Sequence, residues 1–391
     1  MGMILKTGAQ VDRAHLNALE EHSIESRSEG KTTYYKVRRE RQQEIEVHRR
    51  SNERYRTAGK LLPRTFLVSF VSTFDAFLGN LMQAAFDARP ETLNSSERKL
   101  TYKELTSFES IEAARLHVVE SEVEAMLRLS HYAQFELIKK KFHCNRHESS
   151  WKTFIEVTER RNLFVHCHAK VSPQYINVCK EHGVDIGDVA VGETLGARKN
   201  YLDEAYKCLV ETGVILSQNL WRKLCPAEIE DADHALAKLT FDLLVDEQYD
   251  LARRLLQFAK DQRCSSEVVN RVTIINLALA FKFGGDEAKC EATLKAADWS
   301  ACGDDFALCV AVLSDKFETA AVHMRRIGNN GAVGKLEYAD WPVFKVFRES
   351  EEFKAAYADI FGSEPGDYVT HEQPASVSEA SVENGANEGA D

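Results

Sequence analysis

Apolar side chains recur every three or four residues in several long stretches of the chain, which is the period of an α-helix. The clearest stretch, residues 64–86, reads RTFLVSFVSTFDAFLGNLMQAAF and is apolar on nearly all sides. Such a helix is typical of the centre of a helical bundle. Asp75 is its charged exception. Because burying an unpaired carboxylate is unfavourable, we expect a cationic or hydrogen-bonding partner for it, with Arg160 and Arg161 as the nearest candidates.

The same period predicts further helices in the first half of the chain, over residues 111–129, 132–142, 151–171 and 200–224. The basic segment 34–58 lacks Pro and Gly and predicts a mostly solvated helix. Pro63 fits the first turn of the next helix, where its missing N–H is unpaired anyway. Residues 1–30 predict one short helix over 13–22 that Gly30 closes. After His168, one proline and four glycines predict a long irregular connection.

The second half of the chain predicts antiparallel helix pairs. The segment 236–262 turns near residues 246–248, and further pairs are expected over 268–297 and 305–327. Their spacing of about 35 to 40 residues is typical of helix-pair solenoids. A final helical cap would use aromatic residues, namely Trp341, Phe344, Phe347, Phe353 and Tyr357.

Composition agrees with a fully helical protein of two domains. A chain of 391 residues is too long to fold around a single hydrophobic core of ordinary size. The 7 prolines and 20 glycines are too few for the frequent turns of sandwiches and barrels. We predict an all-α fold whose parts are a 1–30 N-terminal segment, a 31–225 helical bundle, a 226–361 helical-repeat domain and a 362–391 disordered acidic tail.

Charge is distributed unevenly along the chain. The formal net charge of −11 opposes binding of nucleic acid or anionic membrane by the molecule as a whole. Residues 31–64, however, carry eleven Lys and Arg side chains against four Glu. Together with Lys139, Lys140, Lys141 and Arg146, this segment could hold an RNA backbone, and an ordinary solvated face explains it equally well.

Cysteine usage and hydropathy predict a soluble cytoplasmic protein. The nine cysteines are an odd number without a CxxC pair. No secretory segment and no run of about 18 apolar residues is evident. His143, Cys144 and His147 match no zinc-ligand spacing, so we expect neither a metal nor a cofactor.

The candidate chemistry lies in residues 151–171, where arginines precede histidines in an apolar run. A histidine can accept or donate a proton near neutral pH. An arginine carries a permanent planar charge that fits phosphate oxygens. On an ideal helix, five positions turn a side chain by about 500°, which is about 140° past a full circle. Arg161 and His166 therefore converge only if the helix ends near His166, or if a second subunit supplies one of them.

The hexapeptide Arg161-Asn162-Leu163-Phe164-Val165-His166 resembles the R-x4-6-H motif of the HEPN superfamily, whose members often carry Asn directly after the Arg. Asp75 takes the place of the lone acid in that family's second helix, and residues 34–224 resemble its helical bundle. The resemblance implies a metal-independent endoribonuclease, typically a dimer with a shared cleft and often part of toxin or antiviral defence. It assigns His166 as acid or base, Arg161 as phosphate and transition-state stabiliser, Asn162 as an orienting group and Asp75 as the holder of Arg161.

Several alternatives stay open. Arg160 and His168 also fall inside the family's spacing, and the predicted RNA-binding residues are Arg160, His168, Arg49, Arg50 and Arg64. His166 could instead be a helix cap, with Arg161 merely neutralising Asp75. Some HEPN proteins bind RNA or act as scaffolds without cleaving it, so a non-catalytic adaptor is the rival hypothesis.

The C-terminal half predicts a binding partner, whether the protein is an endoribonuclease or a non-catalytic adaptor. The segment DEQYDLARRLL resembles part of a tetratricopeptide-like repeat. The resemblance implies that the helical repeats bind a protein or peptide.

Overall fold

A computed structural model describes residues 2–30, 32–95, 99–144 and 148–366. Within these ranges the chain forms sixteen α-helices and one two-stranded antiparallel hairpin, so the predicted all-α character is confirmed. In chain order the elements are α1 Gly2–His22, β1 Ser23–Glu29, β2 Thr32–Val37, α2 Gln42–Ala88, α3 Tyr102–Leu105, α4 Ile111–Leu127, α5 His131–Phe142, α6 Glu148–His166, α7 Pro173–Glu181, α8 Lys199–Leu224, α9 Ile229–Val245, α10 Tyr249–Lys260, α11 Glu267–Phe283, α12 Glu287–Lys295, α13 Asp304–Leu313, α14 Phe317–Ile327, α15 Lys335–Asp340 and α16 Glu351–Phe361.

Contacts divide the chain into two compact units. The first comprises residues 1–240 and 251–269, and the second comprises residues 241–250 and 270–391. Cys225-Pro226, the sequence boundary expected between bundle and repeats, lies within the first unit. The assignment of residues 226–361 as a separate repeat domain stays a prediction. Of the predicted tail, residues 367–391 lie outside the described residues.

The first unit is built around α2, as its apolar sequence predicts. This helix packs against α4, α6 and α8. Its buried stripe recurs every three or four residues and comprises Leu67, Val71, Phe74, Leu78, Met82 and Ala85. Phe154 on α6 has no solvent exposure, and its ring meets Phe74 edge-on at 5.2 Å between centroids.

The long helix α2 corrects the prediction that Pro63 begins a new helix. Helix α2 runs for 47 residues, and Pro63 lies in its interior. Proline lacks the N–H that would bond to the carbonyl of Gly59 one turn earlier. Helix α2 nevertheless continues through this position, and its contacts with α1, α4, α6 and α8 support it on both sides of the proline.

The N-terminal region also differs from its prediction. Its helix runs from Gly2 to His22, and the strands Ser23–Glu29 and Thr32–Val37 form a hairpin, so that residues 34–37 are strand instead of the expected helix. The sequence TTYYKV of β2 is rich in β-branched and aromatic residues, which favour strands. Gly30 does not close a helix, because α1 already ends at His22; its φ of +62° lies in the left-handed region, directly after Glu29, which pairs with Thr32.

The connection after His168 contains a helix that the sequence analysis missed. Ser172 caps α7 by accepting a hydrogen bond from the Tyr175 backbone N–H at 3.2 Å, and Pro173 occupies the first turn. Tyr175 and Cys179 of α7 are buried beside Leu163. The prediction of an irregular connection rested on the glycines of this region and did not consider the capping signal of Ser172 and Pro173.

The helices predicted for the C-terminal half are present, but the two units divide them. Most of α9 and α10, which correspond to the pair expected over 236–262, lies in the first unit. Helices α11 to α14 each lie within two residues of their predicted ranges, and α13 packs against α14. The predicted aromatic cap is present, since Phe344, Phe347 and Phe353 are fully buried. The rings of Phe347 and Phe353 meet edge-on at 5.2 Å.

Of the described residues, one stretch, Arg39–Ala88, is long and apolar enough to cross a membrane by length and composition. A core helix of a soluble protein passes the same test, and the apolar residues of α2 form part of the core of the first unit.

Candidate active site

Asp75 and Arg161 meet at the seam between α2 and α6. The Arg161 Nη2 donates to Asp75 Oδ2 at 2.6 Å. Both side chains are largely buried, with 29% of Asp75 and 18% of Arg161 exposed. Partial burial strengthens their attraction relative to a surface ion pair. Of the two arginines considered for Asp75, Arg161 is the partner.

A third residue of this site, His131, was not anticipated. It opens α5, directly after the capping residue Ser130, and is 8% exposed. Its Nε2 lies 2.8 Å from Asp75 Oδ1. An ionised carboxylate only accepts hydrogen bonds, so Nε2 carries the proton. The sequence signal available was Ser130 ahead of a helical run, a common capping residue that marks a helix start but names no partner for the histidine that follows it.

Arg161 also contacts its neighbour on α6. The Nη1 of Arg161 donates to Asn162 Oδ1 at 3.2 Å, and Asn162 Nδ2 donates to Glu159 Oε1 at 3.4 Å. Burial raises the pKa of the Glu159 carboxyl, while His131, Asn162 and Arg161 act in the opposite direction. Arg161 Nε is buried without a hydrogen-bond acceptor in the described chain.

His166 is the last residue of α6 and is exposed. The helix ends because His168 and Ala169 adopt left-handed conformations, with φ of +50° and +65°. The N–H groups of Cys167 and Ala169 both donate to the Leu163 carbonyl, which satisfies the helix end. No hydrogen bond or ion pair engages the His166 side chain within the described part of the chain.

The structure brings together Asp75, Arg161 and Asn162 but leaves His166 apart from them. Residues 161–166 are all helical, so the expected divergence of about 140° applies, with an axial rise of about 7.5 Å. Arg161 faces α2, whereas His166 is exposed to solvent. One copy of the chain therefore does not place the imidazole beside the guanidinium.

Arg160 belongs to a different, buried network. Its Nε donates to Glu156 Oε1 at 2.7 Å and its Nη1 to the Gly196 carbonyl at 3.0 Å. The Tyr175 and Tyr201 hydroxyls each donate to Glu156 at 2.7 Å. Burial and the Glu156 charge raise the pKa of both tyrosines. These contacts join α6, α7 and α8 around one carboxylate and occupy much of the Arg160 guanidinium.

The other predicted RNA-binding arginines lie along α2. Arg49 and Arg50 are exposed, and both pair with Glu46, at 2.6 Å and 2.9 Å. Their hydrogen bonds lower the pKa of Glu46 to about 2. Arg64 is half-buried, where it donates to the Leu195 carbonyl at 3.3 Å and lies 5.5 Å from the Phe164 ring centre.

Other residues considered for binding chemistry lie apart from this site. Cys144 is buried, and burial raises the pKa of its thiol to about 11. Lys141 pairs with Glu122 at 3.2 Å. Arg146 and His147 lie outside the described residues. Among the residues that are described, no group of three or more His, Cys, Asp or Glu side chains could hold a metal ion.

The site thus belongs to an α-helical protein with a partly buried Asp–Arg–His cluster at the seam of two core helices. Comparison of the chain with protein-family models, with curated proteins and with solved structures returns no match.

Proposed function

We propose that the protein is a metal-independent endoribonuclease of HEPN type, with each active site shared between two copies of the chain. The observation that supports this most is the pairing of Arg161 with Asp75 on a helix whose exposed last residue is His166. The pairing holds a permanent cation at the edge of the bundle core. The histidine at the helix end is free to meet a substrate.

The reaction needs two groups that these residues can supply. Attack of the ribose 2′-OH on the adjacent phosphorus leaves a 2′,3′-cyclic phosphate and a 5′-OH. His166 would take the 2′-OH proton or return one to the leaving 5′-oxygen. Arg161 would stabilise the negative charge that builds on the phosphorane oxygens. Asn162, hydrogen-bonded to Arg161, would help orient the guanidinium.

Helix geometry supports a site shared by two copies. Arg161 and His166 of one chain point about 140° apart, so the His166 of a second copy is needed opposite each Arg161. A twofold arrangement gives both sites at once, because the same surface then faces itself. We propose a homodimer through the first unit for this reason.

One assay tests the activity. Purified protein is incubated with end-labelled RNA in EDTA, and products are analysed for 2′,3′-cyclic phosphate ends. We expect His166→Ala to lower the rate about 100- to 10,000-fold. His234→Ala is the matched control, because His234 is exposed on α9, belongs to none of the candidate catalytic or RNA-binding residues and should retain activity. Equal loss in both variants, or no cleavage by the wild-type protein with any RNA tested, would refute the proposal.

A non-catalytic adaptor is the second candidate, and an observation in the second unit favours it. A cavity of about 450 Å³ lies between α12 and α13, in the size range of binding pockets. Apolar side chains such as Leu294 and Trp299 line it, with Lys282 and Lys316 among its charged residues. A tetratricopeptide-like array would use such a surface to bind a peptide or protein. Retained partner binding together with absent cleavage would favour this function.

The biological setting follows only from the family resemblance. A HEPN nuclease joined to a partner-binding array fits a cytoplasmic toxin or antiviral-defence protein whose activity the partner controls. Growth arrest on expression of the wild-type protein, relieved by His166→Ala but not by the control His234→Ala, would support this role.

A further inference from the structure

The two oxygens of Asp75 bind two different side chains. Oδ2 accepts from Arg161 Nη2 at 2.6 Å, and Oδ1 faces His131 Nε2 at 2.8 Å. A carboxylate opposite an arginine frequently accepts two parallel hydrogen bonds instead. Asp75 therefore makes half of the contact that this pair could form.

The second hydrogen bond of this contact is missing at the Nε of Arg161. The Nε–H and one Nη2–H of a guanidinium point in the same direction along one edge, and this edge binds carboxylates in the two-bond arrangement. Arg161 donates to Asp75 through Nη2, while its Nε is buried and has no acceptor in the described chain. The oxygen that Nε would bind is the one turned towards His131.

His131 is held firmly enough to determine this orientation. Ser130 caps α5, because its Oγ accepts from the Ala133 backbone N–H at 3.3 Å. The imidazole meets the fully buried Phe154 ring edge-on, with 5.7 Å between centroids and 82° between planes. The side chain of Gln134 ties the same turn to the end of the preceding helix by donating to the Leu129 carbonyl at 3.2 Å.

We infer that His131 is a positioning residue: its hydrogen bond turns Asp75 so that Arg161 is held by one bond and keeps donors available for a phosphate group. Moving the guanidinium towards an anion then breaks one hydrogen bond to Asp75 instead of two. Without His131, Asp75 rotates onto both Nε and Nη2, and Arg161 becomes a purely structural residue. The phosphate part of this inference rests on the proposed function, but the geometric part does not.

The variants separate the hydrogen bond from the shape of the ring. His131→Phe removes the donor and keeps a ring against Phe154. His131→Gln places an amide N–H near the position of Nε2 and should restore the wild-type state. The matched control is His323→Phe, because His323 Nδ1 lies 2.7 Å from Asp304 in the second unit, with Arg326 beside the same carboxylate.

The decisive measurement is the Hε resonance of Arg161 in protein carrying 15N-labelled arginine, assigned with Arg161→Lys. We expect a wild-type shift near that of free arginine, because Nε has no acceptor. In His131→Phe the signal should move downfield and exchange with water roughly five- to tenfold more slowly, the factor expected for one added hydrogen bond. His131→Gln and His323→Phe should match the wild-type protein.

Binding of a 2′-deoxy-substituted, uncleavable RNA oligonucleotide gives the second readout. We expect weaker binding by His131→Phe and recovery in His131→Gln. A downfield, slowly exchanging Hε in the wild-type protein, or an unchanged signal in a folded His131→Phe, would overturn the inference. If His131→Phe does not fold, the wild-type signal and His131→Gln still decide it. If the Hε result is as expected and the wild-type protein binds no RNA, His131 positions Arg161 but the proposed function fails.

Discussion

Arg161 on α6 donates a hydrogen bond to Asp75 on α2 across 2.6 Å, and this ion pair joins the two helices on which the proposed site depends. Its partners are mostly buried, so its contribution to stability can be measured separately from any activity.

The first prediction concerns the coupling of this pair. Asp75→Ala leaves both Arg161 and His131 without their acceptor, and we expect a loss of about 2–4 kcal/mol in the free energy of unfolding. A double-mutant cycle with Arg161→Ala should give a coupling of at least about 1 kcal/mol, because the residues are in direct contact. Urea denaturation gives the free energy of unfolding of the wild-type protein, the two single variants and the double variant. The exposed pair Arg128–Glu124, 79% and 70% exposed, is the control and should show coupling close to zero.

The second prediction concerns the shared site. Arg161→Ala and His166→Ala should each abolish cleavage alone. If each site takes Arg161 from one copy and His166 from the other, subunit exchange between the two variants restores one intact site in every mixed dimer. Random mixing should then recover about a quarter of the wild-type rate, since half of the dimers are mixed and each has one of two sites. No recovery after verified exchange would show that both residues act within one chain.

The third prediction concerns stability at high pH. The pKa values of Tyr175 and Tyr201 are raised in the folded state, mainly by burial and then by Glu156. Their stabilising contribution is complete below the unfolded pKa of about 10 and is lost as the pH rises above it, because the unfolded chain then releases these protons first. Each tyrosine should lower the free energy of unfolding by about 1.4 kcal/mol per pH unit in that range.

Denaturation between pH 9 and about 11 measures this slope. Tyr175→Phe and Tyr201→Phe should each make the slope shallower. Tyr102→Phe is the control, because Tyr102 is 83% exposed and should leave the slope unchanged. Identical slopes in all variants would contradict the raised pKa values of Tyr175 and Tyr201 in the folded state.

The fourth prediction compares two glycines of α2. A side chain built at Gly59 meets nothing within 4 Å, so Gly59→Ala should stabilise the protein by about 0.5–1 kcal/mol through helix propensity. At Gly79 the new carbon would lie 3.2 Å from Leu127 Cδ1 of α4 and 3.7 Å from Val123. Gly79→Val should therefore destabilise by about 1–3 kcal/mol. Thermal unfolding measures both effects, and the melting temperature should rise in Gly59→Ala and fall in Gly79→Val.

Sequence reasoning located most helices because their apolar period is a local property. The helices α4, α5, α8 and α11 to α14 begin and end within two residues of their predicted positions, whereas α9 begins at Ile229 instead of the predicted 236. It failed at Pro63, where the outcome depends on contacts beyond the local pattern. It also failed over residues 34–37 and 173–181, although the β-branched residues of β2 and the Ser172 cap are local signals. A proline marks a helix start only if no packing stabilises a helix that continues through it. Helix α2 packs against α1 as well as against the helices of the bundle, and it therefore continues.

The candidate site, like the fold, could be predicted from the sequence only in part. The sequence by itself determined that Asp75 would need a partner, because a lone acid in an apolar helix cannot be buried unpaired. It also gave the turn of about 140° between Arg161 and His166 on a regular helix, but only the structure showed that the helix stays regular as far as His166. Only the tertiary structure decided that Arg161 binds Asp75 while Arg160 binds Glu156, since adjacent residues on α6 point towards different neighbouring helices. It alone brought in His131, because the 56 residues between His131 and Asp75 are brought together by packing and not by any pattern in the chain.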